Sequence, residues 1–446
     1  MNTEKRQDGI QRKLVSGLFW VLLANLLVKP FWILGIEAEV QNAVGDSAYG
    51  FYAALFSFSY IFNILLDLGI TNFNTRNIAQ HPQLITKHLS GILGIKVMLL
   101  GLYLVVTFSV GLLMGYGSDE FRLLAWLTLC QFLNSLILYL RSNFEGLLLF
   151  KWDSLFSILD RLLMILICSC LLWGPKLSVF NLQFSIYHFV YAQVVAYALT
   201  ALLAFVVIAR KAHLRRLRWD RRFFLVILRK SAPFALLVLL MASYNRIDPI
   251  LLRRLVGDAD AGVYAGAFRL LDALTMVCYL VSVPLLPVFS RLCAEKKDVS
   301  DALRLVFWPL MLFTVGSAVA CSLLAEPLMQ WRYHDHYVAY VPVFRVVIFG
   351  LIPIGLTYIF GTLLTAGGHL RQLNLFAASS LVLNVAVNLL LIPRLGAVGS
   401  AWASLTAQSF MAIAQLLLSI RLFHLSVATF RLPRLSDMKD FISMLT

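Results

Sequence analysis

VGDSAYGFYAAL, residues 44–55, nearly recurs as VGDADAGVYAGA, residues 256–267. Laid over one another without gaps, Val, Gly, Asp, a second Gly, Tyr and Ala coincide, and Phe56 then meets Phe268. Self-similarity at a long fixed offset marks duplicated architecture. A match this short also arises by chance, so its meaning depends on what surrounds each copy.

Of 446 residues, 60% are hydrophobic and 14% charged, and the mean hydropathy is +0.81. Soluble globular chains hold roughly 45–50% apolar and about 25% charged residues. Here apolar runs of roughly 20 residues, the length that crosses a bilayer core, recur from end to end. They lack the alternation and roughly ten-residue length of barrel strands. The expected fold class is therefore an all-α polytopic membrane protein with about 12 transmembrane helices. These fall near 14–36, 49–70, 89–114, 121–146, 155–173, 183–209, 232–255, 262–289, 303–325, 338–365, 373–392 and 399–422. The basic start MNTEKRQDGIQRK opens an apolar run too long for a signal segment, so it reads as an uncleaved first helix.

The formal charge of +15 is read as topology, with no nucleic-acid partner. Lys and Arg accumulate in cytoplasmic loops. The connection after the sixth helix, RKAHLRRLRWDRRFFLVILRKSAP, is dense in Lys and Arg, whereas EAEVQNAVGDSAYG after the first helix has none. Both termini are then cytoplasmic and the chain sits in the cytoplasmic (inner) membrane. The expected organisation is a six-helix lobe at 1–209, a basic cytoplasmic linker at 210–231, a second six-helix lobe at 232–423 and a cytoplasmic tail at 424–446. Because six is even, both lobes enter the membrane alike, and each copy of the repeated phrase occupies the outward turn between the first and second helix of its lobe. Parallel repeats of this kind are a transporter architecture. The glycines of the phrase suit a tight turn and its Tyr an interfacial anchor.

Charges at membrane depth are costly and face a bundle interior or an aqueous cavity. Arg141 with Glu145, four apart, forms an interfacial pair, and Lys96 can snorkel to the headgroups. Asp160 and Arg161 are left open; Arg269 and Asp272, three apart, either satisfy each other or serve a cavity. Lys29 has no acid within four residues, and Arg246 and Asp248, two apart, lie about 200° around their helix. A chamber carrying Lys29, Arg246 and Arg269 would suit an anion such as phosphate. Asn384 and Asn388 share one face of the eleventh helix, either as interhelical hydrogen-bond glue or, joined to Asp248 and a hydroxyl of Ser400 or Ser404, as oxygen ligands for Na⁺ or a proton relay. No metal site is indicated beyond that, and no organic cofactor. Pro30, Pro249 and Pro353 each interrupt helical hydrogen bonding, as hinges or as static kinks.

The sequence holds no GxxxxGK[ST] loop, HExxH, GxSxG or paired Cys–His arrangement, and its six cysteines show no ligand spacing. Transport is favoured over enzymology. A major-facilitator protein would need a Gly/Asp/Arg-rich loop after the second helix, where this chain has TNFNTRNIAQHPQ.

Four stretches then converge. VGDSAYGFYAAL resembles the LG-x-x-x-YG-x-Y phrase of Wzx-type polysaccharide (O-antigen) flippases, in the MATE-like multidrug/oligosaccharidyl-lipid/polysaccharide exporter superfamily. LLDLGITNFNTRNIAQ, SAPFALLVLLMASYNRIDPILLRRLVGDADAGVYAGAFRLLDAL and NVAVNLLLIPRLGAVGSAWASLTAQ resemble, in order, the end of their second helix, the opening of their second half and their helix 11–12 signature. The resemblance implies a V-shaped pair of six-helix bundles that flips an undecaprenyl-pyrophosphate-linked oligosaccharide (a repeat unit of O-antigen, capsule or exopolysaccharide) by alternating access. It implies ion-gradient coupling and, as partners, membrane lipids and the polymerase and glycosyltransferases of the same pathway. Lys29, Arg246 and Asp248 fall on its polar positions, and Asn388 stands where an acid would favour Na⁺. A MATE-type or other small-molecule exporter is the alternative, and a membrane-embedded polymerase or ligase a more distant one.

Overall fold

The computed structural model describes Asn25 and residues 27–147, 149–174, 183–212, 221–282 and 285–431. Residues 14–24 of the expected first helix, 213–220 of the basic linker and 432–446 of the tail lie outside the described residues. Every regular element among the described residues is helical. They form two compact units, Met1–Leu239 and Leu240–Thr446.

In the first unit the opening helix passes Lys29 and Pro30, takes a π-helical turn at Trp32–Ile36 and continues as α1 (Glu37–Val44). There follow α2 (Asp46–Ile61), a 3₁₀ turn at Phe62–Leu66, α3 (Ile70–Gln80), α4 (Ile85–Leu113), α5 (Ser118–Gly146), α6 (Phe150–Trp173) and α7 (Ile186–Ala212). The expected second span to residue 70 ends early, because Leu68 (φ 46°) and Gly69 (φ 79°) leave the helical region. The core is built from Ile78, Leu89, Ile92, Tyr139 and Phe144. Helices α3 and α5 approach so closely that a Cβ at Gly146 would stand 2.8 Å from that of Ile78; small residues permit such contacts in membranes.

The division between the units falls inside α8 (Arg221–Leu255). The second unit continues with α9 (Asp258–Ser282), α10 (Leu285–Ala294), α11 (Ser300–Leu323), α12 (Ala325–Tyr333), α13 (Tyr340–Val347), α14 (Leu351–Ala366) and α15 (Leu370–Leu422). Pro353 falls in the first turn of α14, just after a 3₁₀ turn at Ile348–Gly350. At about 1.5 Å per residue, α15 is far longer than one bilayer crossing of roughly 30 Å. It breaks at Gly396 (φ 54°, ψ −133°), and the two expected spans, 373–392 and 399–422, flank that break.

Nine helices among the described residues are long and apolar enough to cross a membrane, α15 being one of them. The expected 232–255 span lies within α8, which carries Asn245, Arg246 and Asp248 and is not among the nine.

Both copies of the repeated phrase do the same local work. Gly45 (φ 82°) and Gly257 (φ 119°) adopt a backbone region open chiefly to glycine. Asp46 and Asp258 then open α2 and α9, where the helix dipole favours an acid. The expectation of an interfacial Tyr is corrected: the equivalent Tyr52 and Tyr264 are each 2% exposed. Tyr52 packs edge-on against Phe189, with ring centroids 5.3 Å apart, and Tyr264 turns its hydroxyl inward. The second copy has one more task. Asp260 accepts a hydrogen bond from the Ala397 amide at 3.0 Å, capping the chain where α15 breaks.

Candidate functional site

Asp248 is completely buried in the second unit. Tyr264 Oη donates to its Oδ2 at 2.8 Å, while Asn388 Nδ2 and Asn384 Nδ2 donate to its Oδ1 at 2.8 and 3.1 Å. Ser404 stands beside Asp248 and Tyr264 and accepts from Gln408 Nε2 at 3.2 Å. The local sequence explains the convergence. Asn384 and Asn388 stack one turn apart on α15 before its break, and the break at Gly396 turns the chain so that Ser404 follows on the returning segment. Asn388 Nδ2 also lies 2.9 Å from Asn384 Oδ1, and Asn388 Oδ1 is buried without a partner among the described residues.

All the described donors to this carboxylate are neutral, and no ion pair reaches it among the described residues. A buried charge without a counterion is expensive. Such a group is stable when a proton or small cation neutralises it. The oxygens present, from Asp248, Ser404 and the Asn388 amide, are ligands suited to either, while Tyr264 donates to the carboxylate. Tyr264 was not singled out from the sequence as a site residue, although the repeated phrase contains it.

The basic candidates divide between the units. Arg269 pairs with Asp272 on its own helix at 3.5 Å. Arg246 is half-buried in α8, two residues from Asp248 and so directed away from it. In the first unit Lys29 is half-buried, and the charged groups that act on it are Arg161, Asp160 and Arg141. Two of those are already engaged by acids. Arg161 Nε lies 3.5 Å from Asp160 Oδ2, its guanidinium over the rings of Trp32 and Tyr197 at 5.9 and 5.8 Å. Arg141 Nε meets Asp153 Oδ1 at 2.7 Å, whereas Glu145, its expected partner, is 4.0 Å away. Lys29 has neither hydrogen bond nor ion pair among the described residues.

Lys96 corrects the snorkelling expectation. It is 1% exposed and donates at 2.8 Å to Asp67 Oδ1, the Leu66 carbonyl and Ser135 Oγ. The helix break at Leu68–Gly69 frees that carbonyl, and an ammonium has three donors to spend on such a group.

The fold has relatives among solved structures. An inward-facing multidrug resistance MATE family transporter of the MOP superfamily matches 91% of this chain and 94% of its own at 15% identity, with a TM-score of 0.68. The lipid II flippase MurJ, in an inward closed conformation, matches 98% and 91% at 13% identity and 0.65. A MOP superfamily transporter from Pyrococcus furiosus matches 92% and 96% at 14% identity and 0.63. At these identities the likeness is one of fold. Among curated proteins, none matches the chain. The polysaccharide biosynthesis protein family model matches residues 14–293, a stretch that includes Lys29, Arg246, Asp248 and Tyr264. With well over half of its length matched, the chain belongs to the polysaccharide biosynthesis protein family.

Proposed function

We propose that the protein is a flippase that carries an undecaprenyl-pyrophosphate-linked oligosaccharide across the cytoplasmic membrane by alternating access, coupled to a Na⁺ or H⁺ gradient. Family membership and a fold shared with a lipid II flippase support the cargo class. The observation that carries the coupling is the buried Asp248 carboxylate, ringed by Tyr264, Asn384 and Asn388 with no basic partner among the described residues.

Lys29 in the first unit and Arg246 in the second are each positioned on their own helix to offset pyrophosphate charge, while the lipid tail stays in the bilayer. Arg269 is a third candidate cation, in the second unit, and acts with Asp272 bound to it. Asp248 binds the driving cation with Asn384, Asn388 and Ser404. Neutralising the carboxylate removes its burial penalty, so cation binding shifts the balance between conformations that bury it and conformations that expose it. No step makes or breaks a covalent bond. Glycosyltransferases supply the cargo and a polymerase consumes it.

The test is cargo translocation in proteoliposomes. Lys29→Ala and Arg246→Ala each slow it while inserting normally in the membrane; full activity in both would remove the pyrophosphate role. A drug-exporting MATE-type function is the second reading, favoured by the MATE transporter of the same fold. Export of cationic dyes without translocation of the lipid-linked sugar would select it.

A further inference from the structure

The segment of α15 beyond Gly396 carries more polar groups than Asp248 uses. Ser400, Ser404, Gln408, Gln415 and Ser419 are all 5% exposed or less. At about 100° per residue they fall within an arc of about 100° on one helix face. From Ser400 to Ser419 this face runs about 28 Å at about 1.5 Å per residue, roughly the thickness of the hydrocarbon core.

Polar residues on membrane helices ordinarily hold neighbouring helices together, and then they are hydrogen-bonded. Part of this face behaves so: Gln408 Nε2 donates to Ser404 Oγ at 3.2 Å. The rest does not. Ser400 Oγ, Gln415 Oε1 and Ser419 Oγ are buried with no partner among the described residues, and so is Asn388 Oδ1 beside the carboxylate. Buried polar atoms of this kind are the ones that ordered water or a cation satisfies. Glycines stand opposite the two long amides. Gly350 faces Gln408 Oε1, and a Cβ at Gly361 would come within 3.3 Å of Gln415 Oε1. Larger residues there would close the space that the amides occupy.

We propose that this face is a hydrated conduction file that carries the coupling cation, proton or Na⁺, between Asp248 and the Ser419 end of the second unit. That end is cytoplasmic in the topology implied by the basic connections. The inference rests on Asp248 as the coupling group, and adds a route to it that is separate from any path taken by the cargo. Gln408 and Gln415 are relay positions: their amides offer both a donor and an acceptor to a passing water or cation. The ionisable groups facing Asp248 are Tyr264 and, acting on Tyr264, Asp272, with Arg246 on its own helix.

The experiment uses full-length protein in proteoliposomes without cargo. Cation flux is followed with an internal pH-sensitive or Na⁺-sensitive dye, and equilibrium occupancy by mass-spectrometric carbodiimide labelling of Asp248. Gln408→Leu and Gln415→Leu are expected to slow flux by about tenfold, the cost of withdrawing one polar partner from a buried cation. The cation midpoint for labelling stays where it was. Unchanged flux in both variants, or a parallel shift of midpoint and flux, overturns the file. Flux that survives Asp248→Asn overturns the coupling reading beneath it, which separates the two failures. If the Leu variants fail to fold, Gln415→Met and Ser419→Ala give the same comparison. A pH gradient in Na⁺-free medium and a Na⁺ gradient at fixed pH identify the carrier, and either one supports the file.

Discussion

Asp67 and Asp248 are both acids in apolar surroundings, one in each unit, and the protein treats them in opposite ways. Asp67 has its counterion built in: Lys96 reaches it at 2.8 Å and divides its remaining donors between Leu66 O and Ser135 Oγ. Asp67 in turn accepts from the Thr71 amide at 3.3 Å, at the start of α3. Charge, helix break and helix start are therefore closed within one knot, a quarter of the Asp67 side chain remaining accessible. Asp248 is wholly buried and meets only hydroxyl and amide donors. The first arrangement has no use for a mobile ion, while the second leaves the positive charge to be supplied. In the coupling proposed above, what separates a structural acid from a coupling acid is the neighbouring side chain, Lys96 in one case and neutral donors in the other.

Substituting each acid's surroundings would break or sharpen this contrast. Asp248→Asn keeps the shape but removes the charge and turns one of the two acceptor oxygens into a donor. Gradient-driven translocation should fall to the background of protein-free vesicles while the melting temperature holds or rises. Wild-type transport by this variant would end the distinction. Lys96→Met should act on stability instead. Stripping one partner from a buried pair costs about 3–5 kcal/mol, whereas replacing both by neutral groups is close to neutral. Thermal unfolding in detergent should therefore show a large loss for Lys96→Met, most of it regained in Lys96→Met/Asp67→Asn. A double variant no better than the single one would deny that the knot is a charge-compensating device.

Much of this was legible in the sequence. The repeated phrase gave the glycine turns before α2 and α9, because a positive φ at Gly45 and Gly257 is a local demand of the backbone. The i, i+4 spacing of Asn384 and Asn388 put both on one face, and the structure brings that face to Asp248. Other features depend on what lies across a helix–helix contact, which periodicity does not encode. Lys96 looked like a snorkelling residue because its counterion, Asp67, lies 29 positions earlier, at the break that follows α2. Tyr264 looked interfacial because the phrase adjoins a turn, yet its hydroxyl points back to α8, 16 residues earlier. The break at Leu68–Gly69 falls two residues before the end expected for the second span, within the uncertainty that hydropathy leaves at a helix end.

The finest contrast is between two buried tyrosines. Tyr264 donates to Asp248 at 2.8 Å in the second unit, and Tyr49 donates to Glu37 at 3.0 Å in the first. Each hydroxyl is worth about 1 kcal/mol as a hydrogen bond, or about fivefold in an equilibrium. If Asp248 exchanges a cation and Glu37 does not, the two deletions separate. Tyr264→Phe withdraws a donor from the ion-free carboxylate, so the cation midpoint for transport should move about fivefold toward lower concentration. Tyr49→Phe should lower the melting temperature by a comparable energy and leave that midpoint in place, because Glu37 meets its partners at every cation concentration. Matching midpoint shifts in the two variants would assign an exchangeable cation to both units and dissolve the asymmetry between them.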